Sequence, residues 1–246
     1  MSISFIFFMF TFTSGNATNL VGLLVNAYHE VDEKNRLSIQ DLLDECKTFY
    51  FSGQETVNFL LAWATLLLAI HTDWQDKVRP EVIEVFDNQN PDSEGLAKLK
   101  TITMIINKTL RLYPPISGVI RKVGREVQLG TLVLPTHSEA DMRIIALHHD
   151  LDLWGGDVDL FKPERFADGI AEATKYNAAD FMPFGLGPRS CIGMSFTIIQ
   201  AKIALPMILQ RYTINLSPSY VHAPLQRLTL RPQYGIQLFH SLHYDA

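Results

Sequence analysis

The sequence predicts a mainly α protein with small β-sheets, and three patterns carry that prediction. A helical pattern runs from Ile39 to Ile70, and its second half, Phe59 to Ile70, is apolar on all sides, as expected of a helix buried in a core. Two further apolar periodicities at helical spacing cover Leu96–Tyr113 and Gly193–Arg211. Short alternating segments over Gly124–Leu134 and Tyr212–Leu242 read as hairpins.

Composition sets the bounds. The chain has 246 residues, 47% hydrophobic and 19% charged, enough for one large domain or two small ones with a sizeable core. A net charge of −5 argues against a nucleic-acid partner. Cys46 and Cys191 give neither a disulfide framework nor paired zinc spacing, which fits a reducing compartment. Ile3 to Phe12 is apolar but short of the ~20 residues of a membrane span, and no basic segment precedes it. Residues 1–18 are therefore expected to be an apolar leader outside the fold, with the folded domain at 19–246.

In chain order, Asn19–His29 reads as a helix and Glu30–Arg36 as a charged link. Ser38 with Asp41 resembles a capping box at the start of the long helix, whose extent at ~1.5 Å per residue is roughly 48 Å. Thr72-Asp73-Trp74-Gln75 reads as the cap of a helix running to Phe86, with Pro80 inside it at a cost of ~3 kcal/mol if the helix is continuous. Asn88–Gly95 is a polar loop, and the Leu96–Tyr113 helix stops at Pro114-Pro115. Ile116–Arg121 is extended, and Pro135–Met142 is too polar for a buried strand. His148-His149-Asp150 reads as structural, because adjacent histidines point to different faces. The last helix is expected to bury Phe196, Ile199, Ile203 and Met207, with Pro206 inside it as a kink risk.

Chemistry concentrates in Phe184-Gly185-Leu186-Gly187-Pro188-Arg189-Ser190-Cys191-Ile192-Gly193. Its glycines permit positive φ and close approach to a bulky partner. The helix that follows turns its N–H groups and positive dipole end toward Cys191, a setting that suits a thiolate metal ligand. A second motif, Ser52-Gly53-Gln54-Glu55-Thr56, sits inside the long helix, where Gly53 costs ~1 kcal/mol relative to alanine and so needs a reason.

The pattern F-x-x-G-x-R-x-C-x-G resembles the haem-binding signature of the cytochrome P-450 family, and Gly53–Thr56 resembles that family's oxygen-activating motif. The wording of the motifs is most similar to the plant clan containing cytokinin and brassinosteroid hydroxylases. The resemblance covers Asn19 to the C-terminus and implies the C-terminal, haem-binding part of the fold, about half of a full-length member. It implies haem, with Cys191 as the axial iron ligand and Phe184, Gly187, Arg189 and Gly193 as the signature around it. It implies Arg121 and Arg189 on the haem propionates, Gly53 leaving room for dioxygen, Thr56 hydrogen-bonding it, and Glu55 relaying protons. The implied activity is hydroxylation of a small apolar substrate with dioxygen, with electrons from NADPH through a flavoprotein reductase at the cytosolic face of the endoplasmic reticulum membrane.

One departure is chemical. Where the family carries E-x-x-R before L-x-P-P, with a second arginine from P-E-R-F, this chain has Lys108, Arg111 and Arg165. Three cations thus share a place that the family gives to a carboxylate between two guanidiniums, and Lys108 must be neutral or reach outward. A second reading follows: a truncated, non-catalytic remnant with weak or no haem binding. A third is a helical interaction module without haem.

Overall fold

A computed structural model describes residues 20–34, 36–87 and 89–242, so the expected leader at 1–18 lies outside the described residues. The chain divides into two compact units, residues 1–54 and 55–246. In the first unit α1 (Leu20–Tyr28) leads to a link in which the Arg36 side chain donates to the Glu30 carbonyl at 2.7 Å. The capping box forms as the sequence implies. Ser38 Oγ donates to the Asp41 carboxylate at 2.6 Å and accepts from the Asp41 N–H at 3.1 Å, which starts α2 (Ile39–Ile70).

The second unit begins inside α2. Leu66 to Ala69 are four consecutive buried positions, and four steps of a 3.6-residue helix cover most of its circumference. The expected all-round burial therefore holds there and ends at Ile70, which is exposed. By length and composition α2 is also able to cross a membrane, but Leu60, Trp63, Ala64 and Leu66–Leu68 pack into the protein's own core.

Helix α3 (Thr72–Phe86) corrects one expectation. Thr72 is its first residue rather than its cap; no side chain caps it, and the Trp74 N–H bonds the His71 carbonyl. Pro80 lies on the exposed face of an unbroken helix, so the Asp76 carbonyl that loses its donor can turn to water. The buried Gln75 amide bonds the Leu68 carbonyl, the Ile214 carbonyl and the Ile214 N–H at 2.8, 2.7 and 3.0 Å. That one side chain ties the end of α2 to a strand about 140 residues further on.

The expected helix over Leu96–Tyr113 is two helices, α4 (Ser93–Lys98) and α5 (Lys100–Leu112). Asp92 starts α4 by accepting from the Gly95 N–H at 2.7 Å, so the loop predicted to reach Gly95 is shorter. The break at Leu99 is held from outside. The Glu81 carboxylate of α3 accepts from the Lys100, Thr101 and Ile102 N–H groups at 2.9, 2.8 and 3.2 Å, which satisfies the orphan donors of a new helix. Gly95 permits the close packing of α4 on α3, since a Cβ there would fall 2.2 Å from the Phe86 ring.

The sheets are two-stranded and antiparallel. β1 (Val119–Lys122) pairs with β4 (Glu139–Met142), and the hairpin between them is β2 (Val127–Leu129) with β3 (Leu132–Leu134). β4 forms despite its polarity because it is not buried, and Glu139 stands opposite Lys122. After α6 (Ile144–His148), α7 (Leu151–Trp154) and α8 (Gly169–Ala173) comes α9 (Met194–Arg211). Its inward face corrects the sequence reading: Thr197, Ala201, Leu205 and Leu209 are buried, whereas Phe196 and Ile199 are 41% and 47% exposed and Ile203 and Met207 half-buried. Both stripes have helical spacing, so the periodicity alone does not choose the inward one. Pro206 is buried within the unbroken α9. The predicted terminal hairpins appear as β5 (Tyr212–Leu216) paired with β8 (Leu238–Leu242), and β6 (Pro224–Gln226) paired with β7 (Leu230–Pro232).

The Glu81 clamp is testable. Replacing Glu81 with Ala leaves three N–H groups without their acceptor and is expected to lower unfolding free energy by ~1–2 kcal/mol in urea. An unchanged midpoint would show that the break at Leu99 needs no external carboxylate.

Candidate functional site

The cysteine loop is closed by its own backbone. Gly185 and Gly187 take φ of +74° and +81°, values open to glycine at little cost. The Gly185 N–H donates to the Met182 carbonyl at 2.9 Å, and the Cys191 N–H donates to the Phe184 carbonyl at 2.8 Å. The start of the loop is anchored to α6: the Met182 N–H donates to His148 Nε2 at 3.1 Å, and the Phe181 ring stacks on the His148 ring with centroids 5.3 Å apart. Gly193 is the N-cap of α9 and no side chain caps it, so the positive end of the helix dipole lies just past Cys191.

Within the second unit, a cavity of about 270 Å³ brings together Thr56, Arg121, Phe184, Arg189 and Cys191 of the residues singled out by the sequence. Cys191, Arg189, Gly185 and Phe184 reach it from the loop, Arg121 from β1 and Thr56 from α2. Its apolar wall includes Leu60, Leu110 and Ile144, which no sequence motif marked. Thr197, one turn into α9, also faces it. Glu55 lies beside Thr56 in sequence, with Thr229 Oγ1 within 3.5 Å of its carboxylate. Gly187 and Gly193 shape the loop without lining the cavity. Gly53 belongs to the first unit; a Cβ there would meet nothing within 4 Å, so packing does not demand a glycine at that position.

Among the described residues no three His, Cys, Asp or Glu side chains converge on a bare metal ion. The cavity offers a single sulfur ligand, two guanidiniums and apolar walls. Such a donor set suits a flat apolar cofactor that brings its own metal and carries carboxylates.

On its other face α5 carries a cation cluster. Lys108 and Arg111 are both 0% exposed. Arg111 donates to the carbonyls of His148 and Val158, and its guanidinium lies 5.1 Å from the Trp154 ring centroid. Arg165, 5.8 Å from the same ring, donates to Asp157 at 2.5 Å, and Lys162 takes the other Asp157 oxygen at 2.9 Å. Lys108 Nζ, Arg111 Nε and Arg165 Nε are buried without a hydrogen-bond partner. Burial, with Arg111 and Arg165 adding repulsion, pushes Lys108 down to about 7. Burial and then Arg165 lower Arg111 to about 10, and the hydrogen bond from Lys162 leads the effects that hold Asp157 at about 2. Of the two courses expected for Lys108, the structure excludes reaching outward. His148, pushed to about 3 by burial and then by Arg111, stays neutral and keeps Nε2 free to accept from Met182.

The family profile described as Cytochrome P450 matches residues 11–239. Cytochrome P450 CYP749A22 of Panax ginseng is 57% identical over 90% of this chain and 42% of its own length. Cytochrome P450 72A15 of Arabidopsis thaliana is 46% identical over 89% of this chain and 43% of its own length. The 11-oxo-beta-amyrin 30-oxidase of Medicago truncatula is 45% identical over 92% of this chain and 44% of its own length. The chain thus spans less than half the length of these curated relatives.

Lys108 sets a pH dependence. Its folded value of about 7 lies below the ~10.4 of an unfolded lysine, so the unfolded chain binds the extra proton between those limits. Stability is expected to fall as pH drops from about 10 to 7, with this contribution flat below 7. The slope difference between the native chain and Lys108→Met in urea unfolding isolates it, and identical slopes would contradict the assignment.

Proposed function

The chain belongs to the cytochrome P450 family, and from that premise we propose that it carries the haem-binding and oxygen-handling part of a haem-thiolate monooxygenase that hydroxylates a small apolar substrate. The observation that carries the reading is one cavity lined together by Cys191, Arg121, Arg189 and Thr56. A haem bound there supplies the activation of dioxygen and the transfer of one oxygen atom into a C–H bond, chemistry beyond any side chain.

The chain's own residues bind, orient and protect. Cys191 would hold the haem iron through its sulfur, from a loop whose two inner hydrogen bonds fix its position. Arg121 and Arg189 present planar guanidiniums for carboxylate side arms, and bidentate pairing would fix the plane of the group. Leu60, Leu110 and Ile144 give the cavity an apolar wall that would disfavour water beside a bound haem. Thr56 holds a hydroxyl at the cavity wall, where it can give up a proton, and the neighbouring Glu55 is the acid able to replace it.

Electrons are assigned to NADPH through a flavoprotein reductase, and location to the cytosolic face of the endoplasmic reticulum membrane, both on family grounds. A relative named as an oxidase of 11-oxo-beta-amyrin supports oxidation of a small organic molecule. The alternative, a non-catalytic remnant with weak or no haem binding, draws support from the buried Lys108 nitrogen, which has no hydrogen-bond partner beside two arginines.

Two experiments decide. The purified chain is reconstituted with haem, reduced and exposed to carbon monoxide; a Soret band displaced far to the red is expected, returning to the ordinary position in Cys191→Ala. Absence of haem uptake by the native chain would favour the remnant reading. With a reductase supplied, Thr56→Ala is expected to lower product formation by roughly 10²-fold while leaving that spectrum unchanged. Equal product yields would remove Thr56 from proton delivery.

A further inference from the structure

The cluster on the inner face of α5 has more donors than acceptors. Lys108 and Arg111 stand three residues apart, hence on one helix face, and the turn at Pro163–Phe166 brings Arg165 to the same place. Both guanidiniums lie against the Trp154 ring, at 5.1 and 5.8 Å, and both are close enough to Lys108 to repel its charged form. Three nitrogens there, Lys108 Nζ, Arg111 Nε and Arg165 Nε, are buried with no acceptor.

The surrounding acids are committed elsewhere. Asp157 gives one oxygen to Arg165 and the other to Lys162. Asp159 bonds His149 at 3.0 Å, and Glu164 is exposed. His148 is neutral, its Nε2 taken by Met182 and its buried Nδ1 without a partner. The carbonyls of His148 and Val158 already accept from the terminal nitrogens of Arg111. Deprotonating Lys108 does not close the account, because its one lone pair can accept from only one of the two Nε groups.

We propose that Lys108, Arg111 and Arg165 form a buried binding site for one small inorganic anion, of the halide or nitrate class, beside the Trp154 ring. A single small anion accepts from all three nitrogens at once and supplies the negative charge that three neighbouring cations lack. Lys108 and Arg111 are fully buried and the three orphan nitrogens are out of contact with solvent, which selects against large anions. The site is separate from the cavity at Cys191 and does not rest on the haem reading.

The test uses the whole chain without cofactor. At pH 6, chloride or nitrate replacing gluconate at constant ionic strength is expected to raise the urea midpoint saturably, and less so at pH 9. The ³⁵Cl resonance is expected to broaden in the presence of the native chain, and nitrate to reverse the broadening. Lys108→Glu, which builds a carboxylate into the site, is expected to abolish both effects. Should that variant not fold, Lys108→Met removes one charged donor at similar volume, and apparent chloride affinity is expected to fall about tenfold or more. Equal midpoints in chloride and gluconate, or a chloride response that survives intact in the folded position-108 variant, overturns the proposal; the first result would mean that water alone meets these donors.

Discussion

The guanidinium of Arg111 donates to the carbonyls of His148 and Val158, joining two segments that no sheet ladder connects. From there the geometry passes to the cysteine. His148, held through its carbonyl, offers Nε2 to the Met182 N–H and its ring to Phe181. The Met182 carbonyl accepts from Gly185, and Phe184 accepts from Cys191. Each bond is worth only ~1 kcal/mol net, but losing one in this interior leaves a desolvated polar group, and that asymmetry makes the series hold.

Helix α5 does two jobs with opposite faces. Leu110 forms part of the apolar wall of the cavity, while Lys108 and Arg111 point into the buried cluster. The arginine is largely satisfied and the lysine is not. Burial and two like charges act on Lys108 in the same direction, and both favour its neutral form. A cluster that positions a functional loop therefore also contains a main electrostatic tension of the second unit, and any occupant or substitution that supplies negative charge there is expected to tighten the loop.

Much of this was legible from local sequence. The limits of the long helix followed from Ser38, Asp41 and an unbroken apolar run; the cysteine loop followed from glycine spacing; the anomaly at position 108 followed from the family pattern and became a buried lysine nitrogen without a hydrogen-bond partner in the structure. What escaped was set by distant partners. The break at Leu99 depends on Glu81, and strand β4 depends on pairing with β1 at an exposed edge. Periodicity located α9 but not its inward face, because two stripes share the helical repeat and only the neighbours choose between them. His148 was read as structural, but its place as anchor of the cysteine loop has no signal in sequence.

The central claim is that Arg111 holds the cysteine loop through His148. Amide hydrogen exchange in native chain and Arg111→Lys tests it most directly, because lysine keeps the charge but lacks the planar fork whose two terminal nitrogens reach the two carbonyls. The account predicts that Met182 and Cys191 lose protection together, while Lys100–Ile102, held by Glu81, keep theirs. Unchanged protection at Met182 and Cys191 would contradict it and leave the loop standing on its own turns.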